Sequence, residues 1–204
     1  MENYWEESLS FKIQQKKNEW ISFIKEISKN GKLKNCLEIG CYDGGTTVFL
    51  SNFFENLITI DQQIQPRFDE FKYTHNNSNL FGSEYIKTKC NFNYISGSSH
   101  DKNTYDKVKN TLNGNKLDLL FIDGDHSYNG VKLDFNMYYD FVKDGGIIAF
   151  HDIHRSNFHE NHGCYVHDFW DELIEDGKNN IVFFDSDASD LWGGIGLIYK
   201  TKNI

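Results

Sequence analysis

Cys36-Leu37-Glu38-Ile39-Gly40-Cys41-Tyr42-Asp43-Gly44-Gly45, followed by Thr46 to Phe54 at helical apolar spacing, decides the fold. A short apolar run that breaks at glycines and resumes with helical periodicity reads as strand, turn and helix. The glycines let the backbone turn sharply and come close to a ligand, and the start of the helix behind them favours negative groups. Working outward, Leu57-Ile58-Thr59-Ile60 stops at Asp61, Phe92 to Ile95 stops at Gly97, Leu117 to Ile122 stops at Asp123, and Gly146 to Phe150 stops at His151-Asp152. Each reads as a buried strand whose carboxyl end delivers a polar group. Helical spacing returns at Val131, Phe135, Tyr138, Tyr139, Phe141 and Val142 and again from Val166 to Ile174, and strands fit Ile181 to Phe184 and Ile195 to Tyr199.

Strands alternating with helices in this way imply right-handed βαβ units. The expected fold is α/β: a Rossmann-like, mostly parallel seven-stranded sheet with helices on both faces. An N-terminal amphipathic helix is expected over residues 4–29, from the spacing of Trp20, Phe23, Ile24 and Ile27. In such sheets ligands bind beyond the carboxyl ends of the strands, where strand order reverses. Gly40, Asp61, Asp123 and Asp152 should therefore share one crevice. Residues 62–91, with the polar run NNSNLFGS at 76–83, break the pattern and are expected to form a surface insertion or a lid.

At 204 residues the chain suits one α/β domain, an N-terminal helical segment (1–31) ahead of a core (33–200). A net charge of -9, without a long basic run, argues against nucleic acid as substrate. No apolar stretch reaches the roughly 20 residues that span a bilayer, and the acidic N-terminus is unlike a signal peptide. A soluble cytoplasmic protein that leaves the membrane alone is expected. The four cysteines form no CxxC pair and read as reduced thiols.

Asp61, about 20 residues beyond the glycine turn, is placed to accept hydrogen bonds from a ribose diol. A dinucleotide site would need Gly-x-Gly-x-x-Gly, and Tyr42 stands where the second glycine belongs. The sequence has Glu38-x-Gly40-x-x-x-Gly44 instead, and with it resembles the class I S-adenosylmethionine-dependent methyltransferases over roughly residues 33–200. The resemblance implies S-adenosylmethionine as cofactor, held by Glu38, Gly40, Tyr42, Gly44, Asp61, Ser98, Ser99 and Asp123.

The segment Phe121-Ile122-Asp123-Gly124-Asp125-His126-Ser127-Tyr128, together with Gly145-Gly146-Ile147-Ile148-Ala149-Phe150-His151-Asp152, is similar to the group containing macrolide-sugar O-methyltransferases and cephalosporin-biosynthesis methyltransferase-like proteins. That likeness implies transfer of a methyl group to a hydroxyl of a small, sugar-like acceptor. It further implies a divalent cation, Mg²⁺ or Mn²⁺, held by Asp123, His151 and Asp152. His126, and alternatively His151, would be the catalytic base. His151 departs from the group's pattern by replacing a carboxylate, and imidazole beside two carboxylates suits Mn²⁺, Fe²⁺ or Zn²⁺ better than Mg²⁺.

A hydroxyl is a weak nucleophile, so a histidine titrating near neutrality and a cation on the same oxygen would each assist it. A base working without metal stays open, as do an Fe²⁺-dependent oxidoreductase on the same sheet and a non-catalytic S-adenosylmethionine-binding module. Asp125 is expected to cap the following helix. The segment from His151 to Cys164 beyond the fifth strand is expected to be a polar, solvated loop rather than a zinc site at His159, His162 and Cys164, with His154 and Arg155 touching the acceptor. Phe169-Trp170 should be ordinary core packing. The expected partners are a sugar or glycan acceptor and, with the oligomeric state left open, further copies of the chain in a homo-oligomer.

Overall fold

The computed structural model describes residues 1–9, 13–29, 31, 33–62, 90–175, 180–183 and 192–201. Seven strands form one sheet in the order β3-β2-β1-β4-β5-β7-β6. They are β1 (Leu33–Ile39), β2 (Phe54–Asp61), β3 (Asn91–Ser96), β4 (Leu117–Ile122), β5 (Val142–His151), β6 (Asn180–Phe183) and β7 (Ile195–Tyr199). The first five pair in parallel, while β7 runs antiparallel to both neighbours. Strand order reverses between β1 and β4, so the crevice beyond Ile39 and Ile122 is the switch point of the sheet.

The alternation of side chains along each strand explains the two cores. Cys36, Leu57, Leu119, Phe121 and Ala149 face one side, where Trp5, Trp20, Phe23 and Phe49 pack on them. Those rings come from α1 (Glu2–Ser8), α2 (Lys17–Ile27) and α3 (Gly45–Leu50). Leu37, Ile39, Leu120, Ile122 and Phe150 face the other side. There they meet α4 (Lys102–Leu112), α5 (Tyr128–Tyr138) and α7 (Val166–Glu175). Phe169 and Trp170 are core residues of this layer, as their spacing predicts. A short helix, α6 (Asn157–Asn161), follows β5.

Two elements differ from the sequence reading. The single N-terminal helix is two helices, because the apolar period of α2 begins only at Trp20 and the chain from Ile13 to Lys16 runs non-helically into the crevice. Glu19 stops the helix from extending backward by accepting the Lys16 N–H at 3.2 Å. The helix expected over Thr46 to Phe54 ends at Leu50, and Phe54 opens β2. All four cysteines are buried free thiols. The insertion or lid expected at 62–91 lies, apart from Gln62, Cys90 and Asn91, outside the described residues. Among the described residues no helix is long and apolar enough to cross a membrane.

Candidate active site

The glycine turn is built against the end of β4. Gly40 has φ +85°, and a Cβ there would lie 2.0 Å from the Asp123 carbonyl oxygen. The backbone thus demands glycine for handedness and for space. Asp61, ending β2, accepts the Cys41 and Tyr42 N–H groups on Oδ2 at 2.9 and 3.0 Å. Tyr42 takes a left-handed φ of +52°, costly for a tyrosine, and remains exposed. Gly44, at φ +92°, is the N-cap just before α3.

Glu38 does not reach the crevice. It is fully buried behind the turn and accepts hydrogen bonds from Thr46, Thr47 and Thr59 at 2.7, 2.5 and 2.8 Å. Burial pushes its carboxyl up to about 7 against the opposing effect of the three hydroxyls. The folded state therefore holds this proton more tightly than the unfolded chain. The resulting stability is fully present below the ordinary glutamate range and is lost as pH rises through about 7. The stability difference between wild type and Glu38→Gln, measured by urea unfolding from pH 4 to pH 8, should accordingly shift against the wild type by on the order of 2–3 kcal/mol across that window.

Two cavities meet at the switch point. One of about 430 Å³ is lined by Gly40, Tyr42, Asp61, Ser99 and Asp123. The other, of about 860 Å³, holds Asp123, His151, Asp152, Phe158, His162 and Trp192. Gln14, Gln15, Asp123 and His126 line both. The sizes suit a nucleoside-sized ligand and a second small molecule. Gly40, Asp61, Asp123 and Asp152 thus border one continuous crevice. Ser98 is not among the lining residues; its hydroxyl accepts the His100 N–H at 3.2 Å.

At the junction, Asp123 Oδ1 lies 3.2 Å from His126 Nε2 and 3.4 Å from His151 Nδ1, and Oδ2 accepts from Gln15 Nε2 at 2.5 Å. Asp152 leaves the strand at φ +61°, a strained turn of the kind found at functional sites. Its Oδ1 sits 3.2 Å from His151 Nδ1 and its Oδ2 3.6 Å from His126 Nδ1. His151 is 2% exposed, and its Nε2 lies 3.1 Å from Glu19 Oε1. Both of its nitrogens therefore face carboxylates, a poor arrangement for a base toward an acceptor.

Burial lowers the affinity of His151 for a proton, but Asp152 and Asp123 outweigh it and hold the imidazole well above its usual range. Burial likewise opposes protonated His126, and the Asp123 bond overcomes it, so His126 is also raised. Burial pushes Asp123 and Asp152 up, while the histidine charges pull harder and leave both below the usual carboxylate range.

His151 Nδ1 and Asp152 Oδ1 have no hydrogen-bond partner although both are buried. Asp123, His151 and Asp152 place one ligand atom each within 4.8 Å of the others. Three lone pairs converging on one buried point repel unless a proton or a cation lies between them, so this donor set fits a divalent ion. His126, Asp152 and Cys164 form a second such group.

Beyond β5 the sequence expectations need correction. Arg155 turns away from the crevice, bonding Asp168 and Asp171 of α7 at 2.6 and 2.8 Å, and neither it nor His154 lines the cavity. His159 is buried, not solvated. Its Nδ1 donates to the His154 carbonyl at 2.5 Å, its Nε2 accepts the Gly193 N–H at 3.2 Å, and the ring stands 3.4 Å from Asp152 Oδ1. The helix after β4 is capped by Ser127, whose hydroxyl accepts from Gly130, while Asp125 accepts the Ser127 N–H. Sequence reasoning missed Gln15, Glu19 and Trp192. The only signal for Glu19 was a glutamate interrupting the apolar stripe beside Trp20.

A parallel sheet whose glycine turn, second-strand carboxylate and fourth- and fifth-strand acids meet at the switch point is the architecture of a class I methyltransferase. Residues 37–153 match the family described as "Methyltransferase domain", and the chain belongs to that family. An uncharacterized protein of Acanthamoeba polyphaga mimivirus is 35% identical over 119 residues, 57% of this chain and 50% of that protein, so the chain matches about half the length of this relative.

Among solved structures, the O-methyltransferase from Bacillus cereus in complex with S-adenosylhomocysteine superposes with a TM-score of 0.68 at 15% identity, over 97% of this chain and 91% of that one. The MycE methyltransferase of the mycinamycin biosynthetic pathway, in complex with Mg and S-adenosylhomocysteine, gives 0.55 at 16% identity over 90% of this chain and 49% of its own. At these identities the likeness speaks to the fold.

Proposed function

We propose that residues 1–204 act as one S-adenosylmethionine-dependent O-methyltransferase domain whose acceptor is a small, sugar-like hydroxyl compound. The observation that carries this reading is the meeting of the two cavities at Asp123 and His126. S-adenosylmethionine, in the smaller cavity, would supply the methyl sulfonium. Asp61 would accept from its ribose, and the glycine turn would leave room for its amino-acid end.

Asp123, His151 and Asp152 would hold a divalent cation, which when bound contributes Lewis-acid and orienting chemistry. His126 keeps Nε2 turned to Asp123 and receives the hydroxyl proton at Nδ1, the nitrogen with the longer approach to a carboxylate. Phe158 and Trp192 give the larger cavity aromatic surface beside polar groups, a lining that accepts the apolar face and hydroxyls of a sugar.

Incubating the protein with methyl-labelled S-adenosylmethionine and a panel of sugars and glycosides tests this. Labelled methyl ether is expected, lost on chelation and restored by Mn²⁺. Label transferred undiminished after chelation would favour a second reading, in which protonated His151 alone balances the two aspartates. No transfer to any hydroxyl would contradict both. An iron oxidoreductase draws no support from the family that spans the glycine turn, and a non-catalytic module leaves the Asp123–His126 pair without a role.

A further inference from the structure

The carboxylate that faces His151 from behind comes from a helix outside the sheet. Glu19, in the first turn of α2, is fully buried and held at both oxygens. Oε1 accepts the Lys16 N–H at 3.2 Å and lies 3.1 Å from His151 Nε2, and Oε2 accepts the Gly194 N–H at 3.0 Å. On its other side, His151 points Nδ1 at Asp123 Oδ1 and Asp152 Oδ1, at 3.4 and 3.2 Å. Carboxylates face both nitrogens, and a cation between Asp123 and Asp152 would exclude a proton from Nδ1, so a ligating imidazole would keep its single proton on Nε2, toward Glu19, which can only accept. The lone pair of Nδ1 then aims at the space between the two aspartates.

We propose that Glu19 is a positioning residue: it fixes the tautomer and ring plane of His151, so that Nδ1 completes with Asp123 and Asp152 a site for a borderline divalent ion such as Mn²⁺ or Zn²⁺. The proposal rests on the metal reading above and extends it by bringing the N-terminal helix into the site. An acceptor on the far nitrogen of a ligating imidazole orients it and raises its basicity, and removing one weakens metal affinity by about 10- to 100-fold.

Glu19→Gln keeps the shape of the side chain. Its one carbonyl cannot replace both oxygens: facing His151 it leaves an amide donor against the Gly194 N–H, and facing Gly194 it leaves that donor against the Lys16 N–H and His151 Nε2. Either way the anionic acceptor that holds the His151 proton on Nε2 is lost, and Nδ1 becomes a weaker ligand. Binding of Mn²⁺ and Zn²⁺, measured by competition with a chromophoric chelator, is expected to weaken about 10- to 100-fold in this variant. His151→Ala should weaken binding too. The double variant should bind no worse than His151→Ala alone, because Glu19 acts through that ring.

In the Zn²⁺-loaded wild type, ¹⁵N-histidine NMR should show His151 protonated at Nε2 and metal-shifted at Nδ1. Additive losses in the double variant, or wild-type affinity in Glu19→Gln, would overturn the role of Glu19 while leaving the metal reading intact. A wild-type protein that takes up neither ion would remove both.

Discussion

Alanine at position 40 is expected to abolish S-adenosylhomocysteine binding and to lower the unfolding free energy by about 2–5 kcal/mol, the sum of left-handed strain and overpacking. The added methyl would lie 2.0 Å from the Asp123 carbonyl oxygen, 2.6 Å from its carbon and 2.8 Å from Gly124 Cα. All three are backbone atoms at the end of β4, so no side-chain rotation relieves the clash. Asp123 N–H donates to the Ile39 carbonyl at 2.8 Å across the same gap. The ends of β1 and β4 would have to part at the point where the two cavities join. Urea unfolding and ligand titration on the same sample read both effects. Ligand binding at wild-type strength in Gly40→Ala would mean that the turn does not face the ligand.

The second large effect is on chemistry. Asp123→Asn preserves shape but removes the charge that His126 and His151 both face. It also offers those rings a donor where they now meet an acceptor. Methyl transfer is expected to fall at least about 100-fold in kcat, the usual scale for losing a positioned acid–base unit. The affinity for S-adenosylhomocysteine should change only a few-fold, because Asp61 and the glycine turn stay in place. His126→Ala should reproduce the loss in kcat with metal affinity largely retained, since the donor set of Asp123, His151 and Asp152 remains. Equal turnover in both variants and the wild type would remove this pair from the reaction.

What could be read from the sequence follows from where the chemistry sits in the chain. Gly40, Asp61, Asp123 and Asp152 each end an apolar run, and parallel strands have to bring such ends to one rim. Gln15 and Glu19 carry no comparable mark. They lie 108 and 132 residues from the partners they touch, in a segment whose polar positions look like the wet face of a helix. Glu38 shows a different limit. Its place in the glycine motif suggested ligand contact, whereas three threonine hydroxyls hold it behind the turn. Arg155 was read from its proximity in sequence to Asp152, but two carboxylates on α7 offer it a better partner than an acidic crevice lined with histidines.

Titrating S-adenosylhomocysteine calorimetrically into the wild type and into Asp61→Asn puts the shared crevice to the test. The asparagine oxygen can still receive the Cys41 and Tyr42 N–H groups, so the turn survives while the charge offered to a ribose is gone. Micromolar binding by the wild type, weakened about tenfold or more in the variant, is the outcome expected for a lost charge-assisted hydrogen bond. A wild-type protein that gives no heat with this ligand, or a variant that binds it equally well, would contradict the placement of adenosine beside Asp61.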